Sequence, residues 1–511
     1  MRSAMADSSA DREVRAVRTD GNGVTDRTTT DEHTSTGEHT STGEHTTTDH
    51  RTTTGDQPLS IEAVYATPGV SGFYFDDQRA IKRGARADGI AYEGQPVTPG
   101  FEAIRQAGET LIVDLELTDD TVVRGDCAAV QYSGAGGRDP LFRAAQYAPV
   151  VEGPVADALL GRDAGAFAEN AALVESLAVD DPTNSNGSLD GGDRLHTAIR
   201  YGVSQALLAA AAHARRETRT DVLANALGTE PATEPVPVFG QSGDERRMGA
   251  EKMLLKGVPV LPHGLFNSHA KMGEDGEKLI AYLEWLRSRA DELGPDDYEP
   301  RFHVDVYGMI GELFGAPFDS SAIVDYFEEL ETAAGRIPLQ IEGPMDVGNR
   351  EDQIHAMCEL REGIADAGID VDIVADEWCN TLEDVRAFVD AGAADVVQVK
   401  TPDLGGIHRS GEAVRYCEGT DTRAYIGGTC NETATSARAC AHLALATDAA
   451  QVLAKPGMGF DEGYMLVENE MRRTVALRER SQAKKSGNEA MEPTKVTPER
   501  TDDQTEVRTD D

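Results

Sequence analysis

The sequence predicts an α/β protein: a (β/α)8 barrel of the TIM type behind an N-terminal α+β block. Three observations carry this expectation. From about residue 235 onward, eight short β-branched runs recur, most of them separated by helix-compatible stretches. Ahead of them lies a block in which strand-like alternation gives way to long helical periodicity. No Gly-x-Gly-x-x-Gly follows a strand-like run, which weighs against a doubly wound open sheet, the nearest competing architecture.

The elements follow in order. Residues 1–57 contain TSTGEHTSTGEHTTTDH, a near-repeat with almost nothing apolar to bury, and predict a disordered tail. Its histidines, His33, His39, His45 and His50, read as part of a solvated tail rather than a metal site. The α+β block is placed at 58–225. There SIEAVYATPGVSGFYF (60–75) and ETLIVDLELTDDTVVRGDCAAVQYSG (109–134) alternate like strands, with a hairpin signal at Asp119–Asp120. Residues 156–178 and 195–217 have helical periodicity. The barrel is placed at 226–482, with strands at 236–241, 258–264, 301–308, 337–343, 372–378, 396–400, 423–429 and 451–457. Helices are expected at 277–293, 321–334, 353–368 and 381–393. Residues 483–511 predict a second disordered, acidic tail.

Length and charge narrow the class. Cores stop growing near ~250–300 residues, so 511 residues imply two domains plus tails. The net charge of −42 is spread along the whole chain, and the 48 basic residues comprise 38 arginines and only 10 lysines. This is the solvated shell expected in a salt-rich cytoplasm, where screening shortens like-charge repulsion. No basic patch exists to neutralise phosphates, which disfavours nucleic acid as a partner. The six cysteines form no Cys-x-x-Cys pair and imply free thiols in a reducing compartment. The N-terminus lacks an apolar signal core, and no run of ~20 apolar residues would span a membrane. A cytoplasmic protein is expected.

The chemistry is expected at the strand ends. Strand three ends at Asp305, strand four at Glu342, strand five at Asp376 and strand six at Lys400. A barrel gathers these ends at one mouth. Three converging carboxylates repel one another unless a cation is held between them, and carboxylate oxygens suit Mg²⁺ or Mn²⁺. A lysine beside that cation is pushed toward the neutral amine a general base needs. Gln398 lies two residues before Lys400 and shares its face, whereas alternation turns Glu377 away from Asp376. His263 ends strand two and would face Lys400 across the mouth. The Gly-rich GGTCNET (427–433) offers Thr429 and Cys430 to an anionic substrate. A base and a divalent metal on one face suit removal of a proton α to a carboxylate through a metal-stabilised enediolate. Elimination, racemisation and cycloisomerisation all remain open at this point.

These residues, with the strings TPGVSGFYFDDQRAIK, GDCAAVQYSGAGGRDPLF, VFGQSGDER, VLPHGLFN, FHVDVYG, IEGPMDV, VADEWCNT, VQVKTPDLGG, GGTCNET and VLAKPGMG, are similar to the methylaspartate ammonia-lyase family of the enolase superfamily. The resemblance covers roughly residues 60–482. It implies an enolase-like fold, in which the N-terminal α+β block is a capping domain on a modified (β/α)8 TIM-type barrel, and reversible loss of ammonia from L-threo-3-methylaspartate to give mesaconate. It further implies that Asp305, Glu342 and Asp376 bind Mg²⁺ (Mn²⁺ being an alternative), and that Lys400 takes the C3 proton. His263 would hold the distal carboxylate and serve as base for the other C3 epimer. Gln131, Gln241, Gln398, Thr429 and Cys430 would hold the substrate's polar groups, and Leu453 would face its methyl. K⁺ is implied as an activating ion and a homodimer as the assembly, in glutamate breakdown or carbon assimilation. The departures are the two tails, the segment 180–193 and the acidic surface. The rival readings are another enolase-type lyase or racemase on a related amino or hydroxy acid, a Schiff-base aldolase using Lys400, and a binding scaffold.

Overall fold

The computed structural model describes residues 58–135, 137–179, 193–315 and 320–485. The expected N-terminal tail, residues 486–511 of the C-terminal one and nearly all of the 180–193 segment lie outside the described residues; residues 483–485, placed in the second tail, instead end the last helix. Among the described residues no helix is long and apolar enough to cross a membrane.

The N-terminal part is built on a three-stranded antiparallel sheet of β1 (Ile61–Asp76), β2 (Arg105–Leu117) and β3 (Val122–Cys127), in that spatial order. The expected hairpin joins β2 to β3. Asp120 takes a positive φ of 63° there, and the Asp119 carboxylate accepts from the Thr121 N–H. Helix α1 (Thr197–Arg215) lies against β3 and β2. Two glycines permit this close approach: a Cβ on Gly125 would strike the Gly202 carbonyl, and one on Gly202 would strike Cys127. The single helix expected over 156–178 is instead two, Ala156–Leu159 and Phe167–Ser176. Leu160 turns extended and Gly161 takes φ 75°, which ends the first helix.

All eight barrel strands form where the sequence puts them: β4 (Val238–Phe239), β5 (Val260–Leu265), β6 (Arg301–Asp305), β7 (Leu339–Glu342), β8 (Val371–Ala375), β9 (Val396–Val399), β10 (Arg423–Ile426) and β11 (Val452–Leu453). They pair in parallel and in chain order, and β11 closes on β4. Helices α2 (Glu277–Leu293), α3 (Ser320–Ala334), α4 (Arg350–Ala367), α5 (Leu382–Ala391), α6 (Ile407–Cys417) and α7 (Ala434–Thr447) connect them. A final helix, α8 (Phe460–Lys485), follows β11 and packs on α7.

Local signals fix the helix ends. Thr381 and Asp384 form a reciprocal capping box on α5, and Gly392 ends it in the left-handed region. Parallel strands bury both faces, which explains their Val/Ile-rich runs. Inside the barrel, Phe239, Val260, Val374, Val396, Tyr425 and Leu453 pack as one buried layer. That layer floors the mouth where the chemistry-bearing side chains sit.

Candidate active site

Asp305 closes β6 and pairs in register with Glu342 at the end of β7. Asp376 and Lys400 each stand one residue beyond their strands, β8 and β9. All three carboxylates are buried, Glu342 completely. One cavity is lined by Gln131, Gln241, His263, Asp305, Asp376, Gln398, Lys400, Thr429, Cys430 and Leu453. The structure therefore brings together the site residues expected from the sequence, with Glu342 beneath the others.

His263 owes its place to a bulge. β5 pairs Val304 with His263 but Asp305 with Leu265, so one extra residue re-aims the ring. His263 itself takes φ 62°. Its Nε2 lies 3.6 Å from Asp305 Oδ2. Ligand atoms of His263, Asp305 and Glu342 all lie within 4.8 Å of one another. Asp376 faces the same cavity but is ion-paired with the Lys400 ammonium.

That pairing governs the charge of Lys400. Burial disfavours the Lys400 ammonium, but the carboxylates of Asp376 and Glu377 outweigh it, and its pKa stands above the ordinary lysine value. Alone, the protein holds Lys400 charged. Glu377 corrects an expectation. It lines the cavity rather than turning away, because β8 ends at Ala375 and strand alternation stops there. Trp378, at φ 65°, belongs to the turn that follows.

The electrostatics describe a site strained by like charge. Burial, with Glu342 and Asp376 nearby, pushes the Asp305 carboxyl well up. Burial and Asp376 raise Glu342 to about 7. Burial lowers the His263 pKa, although Glu342 opposes this. His263 Nδ1 is also buried without a hydrogen-bond partner. Converging carboxylates with raised pKa values fit a hard divalent cation, which would favour their charged forms.

Of the layer supporting this site, sequence reasoning found Gln398 and missed Tyr425 and His303. Tyr425 donates its hydroxyl to Glu342, with oxygens 2.9 and 2.8 Å away. Gln398 Nε2 donates to the same carboxylate and lies 2.6 Å from the Tyr425 hydroxyl. His303 stacks on Phe239, and its Nε2 lies 2.8 Å from Glu342 Oε2. Burial holds it neutral, with a pKa lowered to about 3. Gln451 Nε2 lies 2.8 Å from His303 Nδ1. A signal existed: His303 stands two residues before Asp305, hence on the same inward face. Tyr132, Arg138, Tyr307 and Met458 also line the cavity; they lie within the quoted strings, but sequence reasoning did not single them out.

The neutral wall is held from behind. Gln241 donates to the Ala454 and Gly457 carbonyls at 2.6 and 2.8 Å. Gln131 donates to Asp76 at 2.6 Å, and Asp76 is bound by both arms of Arg105. Cys430 lies 3.6 Å from Gln131 Oε1, and burial pushes its thiol up to about 12, which leaves it a poor nucleophile.

Fold and site together define the class: a β/α-barrel enzyme for metal-assisted chemistry at a carbon acid, with a lysine beside a buried carboxylate cluster. The family follows from comparison with known proteins. The N-terminal methylaspartate ammonia-lyase family matches residues 59–228 and the C-terminal one residues 230–480. The chain belongs to the methylaspartate ammonia-lyase family. It is 69% identical to the Haloarcula marismortui methylaspartate ammonia-lyase over 424 residues, 83% of this chain and 99% of the relative. It is 49% identical to that of Clostridium tetanomorphum, over 82% of this chain and 99% of the relative. The Mg-complex crystal structure of C. tetanomorphum β-methylaspartase matches with a TM-score of 0.77 at 48% identity, covering 83% of this chain and 100% of that one. The Citrobacter amalonaticus enzyme containing (2S,3S)-3-methylaspartic acid matches with a TM-score of 0.78 at 49% identity, covering 82% and 100%.

Proposed function

We propose that this protein is a methylaspartate ammonia-lyase: it reversibly eliminates ammonia from L-threo-3-methylaspartate to give mesaconate. One observation carries the reading. Buried Asp305 and Asp376 meet Lys400 in one cavity above buried Glu342, in a chain that matches the family over residues 59–228 and 230–480.

In this reading Asp305, Glu342 and Asp376 hold Mg²⁺. When bound, the ion draws charge from a substrate carboxylate and stabilises the negative charge that develops as the C3 proton leaves. Lys400 takes that proton. In the structure Lys400 is ion-paired with Asp376, and a cation held by that carboxylate would weaken the pair. Freed of that carboxylate, the buried amine moves toward its neutral form. His263 holds the distal carboxylate and serves as base for the other C3 epimer. Gln131, Gln241, Gln398, Thr429 and Cys430 orient the substrate's polar groups, and Leu453 packs on the methyl.

The reading extends to a capping domain at 58–225 and a catalytic barrel at 226–482. It includes a homodimer in a salt-rich cytoplasm, K⁺ as activator, Mn²⁺ as an alternative ion, and a role in glutamate degradation. The charge of −42 supports the salt-rich setting. The test is product identity. Proton NMR of L-threo-3-methylaspartate with protein and Mg²⁺ should show the vinylic proton of mesaconate, with ammonia released in equal amount. Epimerised substrate without a vinylic signal would make the protein a racemase instead.

A further inference from the structure

Behind the neutral wall lies a second charged pair that the chemistry above does not use. Lys455 and Glu432 are both completely buried. Lys455 Nζ donates to Glu432 Oε1 at 3.0 Å and to the Gly427 carbonyl at 2.8 Å. Thr401 donates its hydroxyl to the same Oε1 at 2.8 Å. The other carboxylate oxygen lies 3.5 Å from Cys440 Sγ, which lies 3.0 Å from the Tyr201 hydroxyl. A dry ion pair is weak support for stability, because desolvating two charges offsets most of their attraction. Its position is more telling. Thr401 directly follows Lys400. Gly427 and Glu432 bracket Thr429 and Cys430. Lys455 lies two residues past Leu453. The pair thus ties together the three segments that carry the base, the polar contacts and the apolar wall.

The loop backbone rests directly on this pair. Gly428 takes φ 89°, and a Cβ there would collide with Lys455 Nζ and Glu432 Oε1. On the loop's other side, Ser71 donates to Asn431 Oδ1 at 2.7 Å, and Asn431 Nδ2 donates to the Tyr74 carbonyl at 2.9 Å. The loop is clamped between β1 and the ion pair.

We propose that the Lys455–Glu432 pair is a positioning device. It fixes the 427–433 loop and the end of β11 relative to Lys400, and so sets how closely the wall fits the methyl-bearing carbon of the substrate. The inference rests on the reading of the site given above. The experiment compares L-threo-3-methylaspartate with L-aspartate as substrates of the full-length protein. It uses Lys455→Met, the double variant Lys455→Met/Glu432→Gln, and Thr401→Val, which removes one hydroxyl and no charge.

Lys455→Met should lower kcat on the methylated substrate ~10–100-fold, and Thr401→Val ~3–10-fold, as expected for a small displacement of aligned groups. In each, the ratio of kcat/KM for methylated over unmethylated substrate should shrink at least ~5-fold, while Mg²⁺ affinity by calorimetry stays within ~2-fold. A merely structural role lowers the active fraction, scales both substrates alike and leaves the ratio unchanged. That result in folded Thr401→Val overturns the inference, even where the charge variants do not fold. Absence of wild-type turnover of 3-methylaspartate would instead overturn the functional reading beneath it.

Discussion

The two sides of the barrel mouth are built on opposite principles. The side formed by β6, β7 and β8 concentrates charge: Asp305, Glu342 and Asp376, backed by donors from Tyr425 and Gln398. The side formed by β10, β11 and β4 carries amide, hydroxyl, thiol and apolar groups: Thr429, Cys430, Leu453 and Gln241. Lys400 stands on β9, at the boundary between them. The difference teaches a division of labour. The acidic side is costly when bare, as the raised pKa values of Asp305 and Glu342 record, and it is tolerated for what a cation does there. The neutral side costs little in charge and supplies fit.

The largest expected effect breaks the boundary itself. Lys400→Ala should lower kcat by at least ~10³-fold, the upper range for loss of a positioned base, with Mg²⁺ affinity within a few-fold of wild type. Wild-type turnover would remove Lys400 from the role. Next comes the acidic side. Asp376→Asn should weaken Mg²⁺ binding and lower kcat/KM together, each by roughly 10²-fold; calorimetry and rates on the same preparation check that they move as one.

The third prediction concerns pH and needs no substrate. Glu342 sits near 7 when folded, against an ordinary 4.5. A carboxyl with a raised folded pKa favours the folded state at low pH and loses that contribution as pH rises. Without divalent ions, the protein should therefore lose on the order of 3 kcal/mol of stability from this group between about pH 4.5 and 7. Saturating Mg²⁺ should flatten that fall. Denaturant titrations at several pH values, with and without Mg²⁺, measure the difference. A metal-free curve as flat as the Mg²⁺ curve would mean the acidic side is not strained.

The smallest effect belongs to the neutral side. Leu453→Ala removes apolar wall and should raise KM for 3-methylaspartate only ~3–10-fold, by about 1 kcal/mol of lost contact. Mg²⁺ affinity should not change. A drop as large as that of Asp376→Asn would erase the contrast between the two sides.

Much of this was readable in the sequence, for a physical reason. A parallel barrel puts every strand's C-terminal end at one mouth, so finding the strands was enough to bring Asp305, Glu342, Asp376 and Lys400 together. His303 was equally readable by alternation from Asp305. What escaped lies where periodicity ends. Glu377 sits in a turn, so its direction is not set by β8. The pairing of Lys400 with Asp376 is a contact between strands, and no single strand's pattern encodes it. The Lys455–Glu432 pair joins segments 23 residues apart through a loop whose shape depends on Gly428. The break at Leu160–Gly161 was hidden because the apolar spacing continues across it.

The most direct measurement is ultraviolet absorbance of the protein with L-threo-3-methylaspartate in concentrated KCl, with Mg²⁺ or with EDTA. A rise from the conjugated diacid with Mg²⁺, abolished by EDTA, is the predicted result. Equal rates in Mg²⁺ and EDTA, or no rise from folded protein that binds Mg²⁺, would contradict the account.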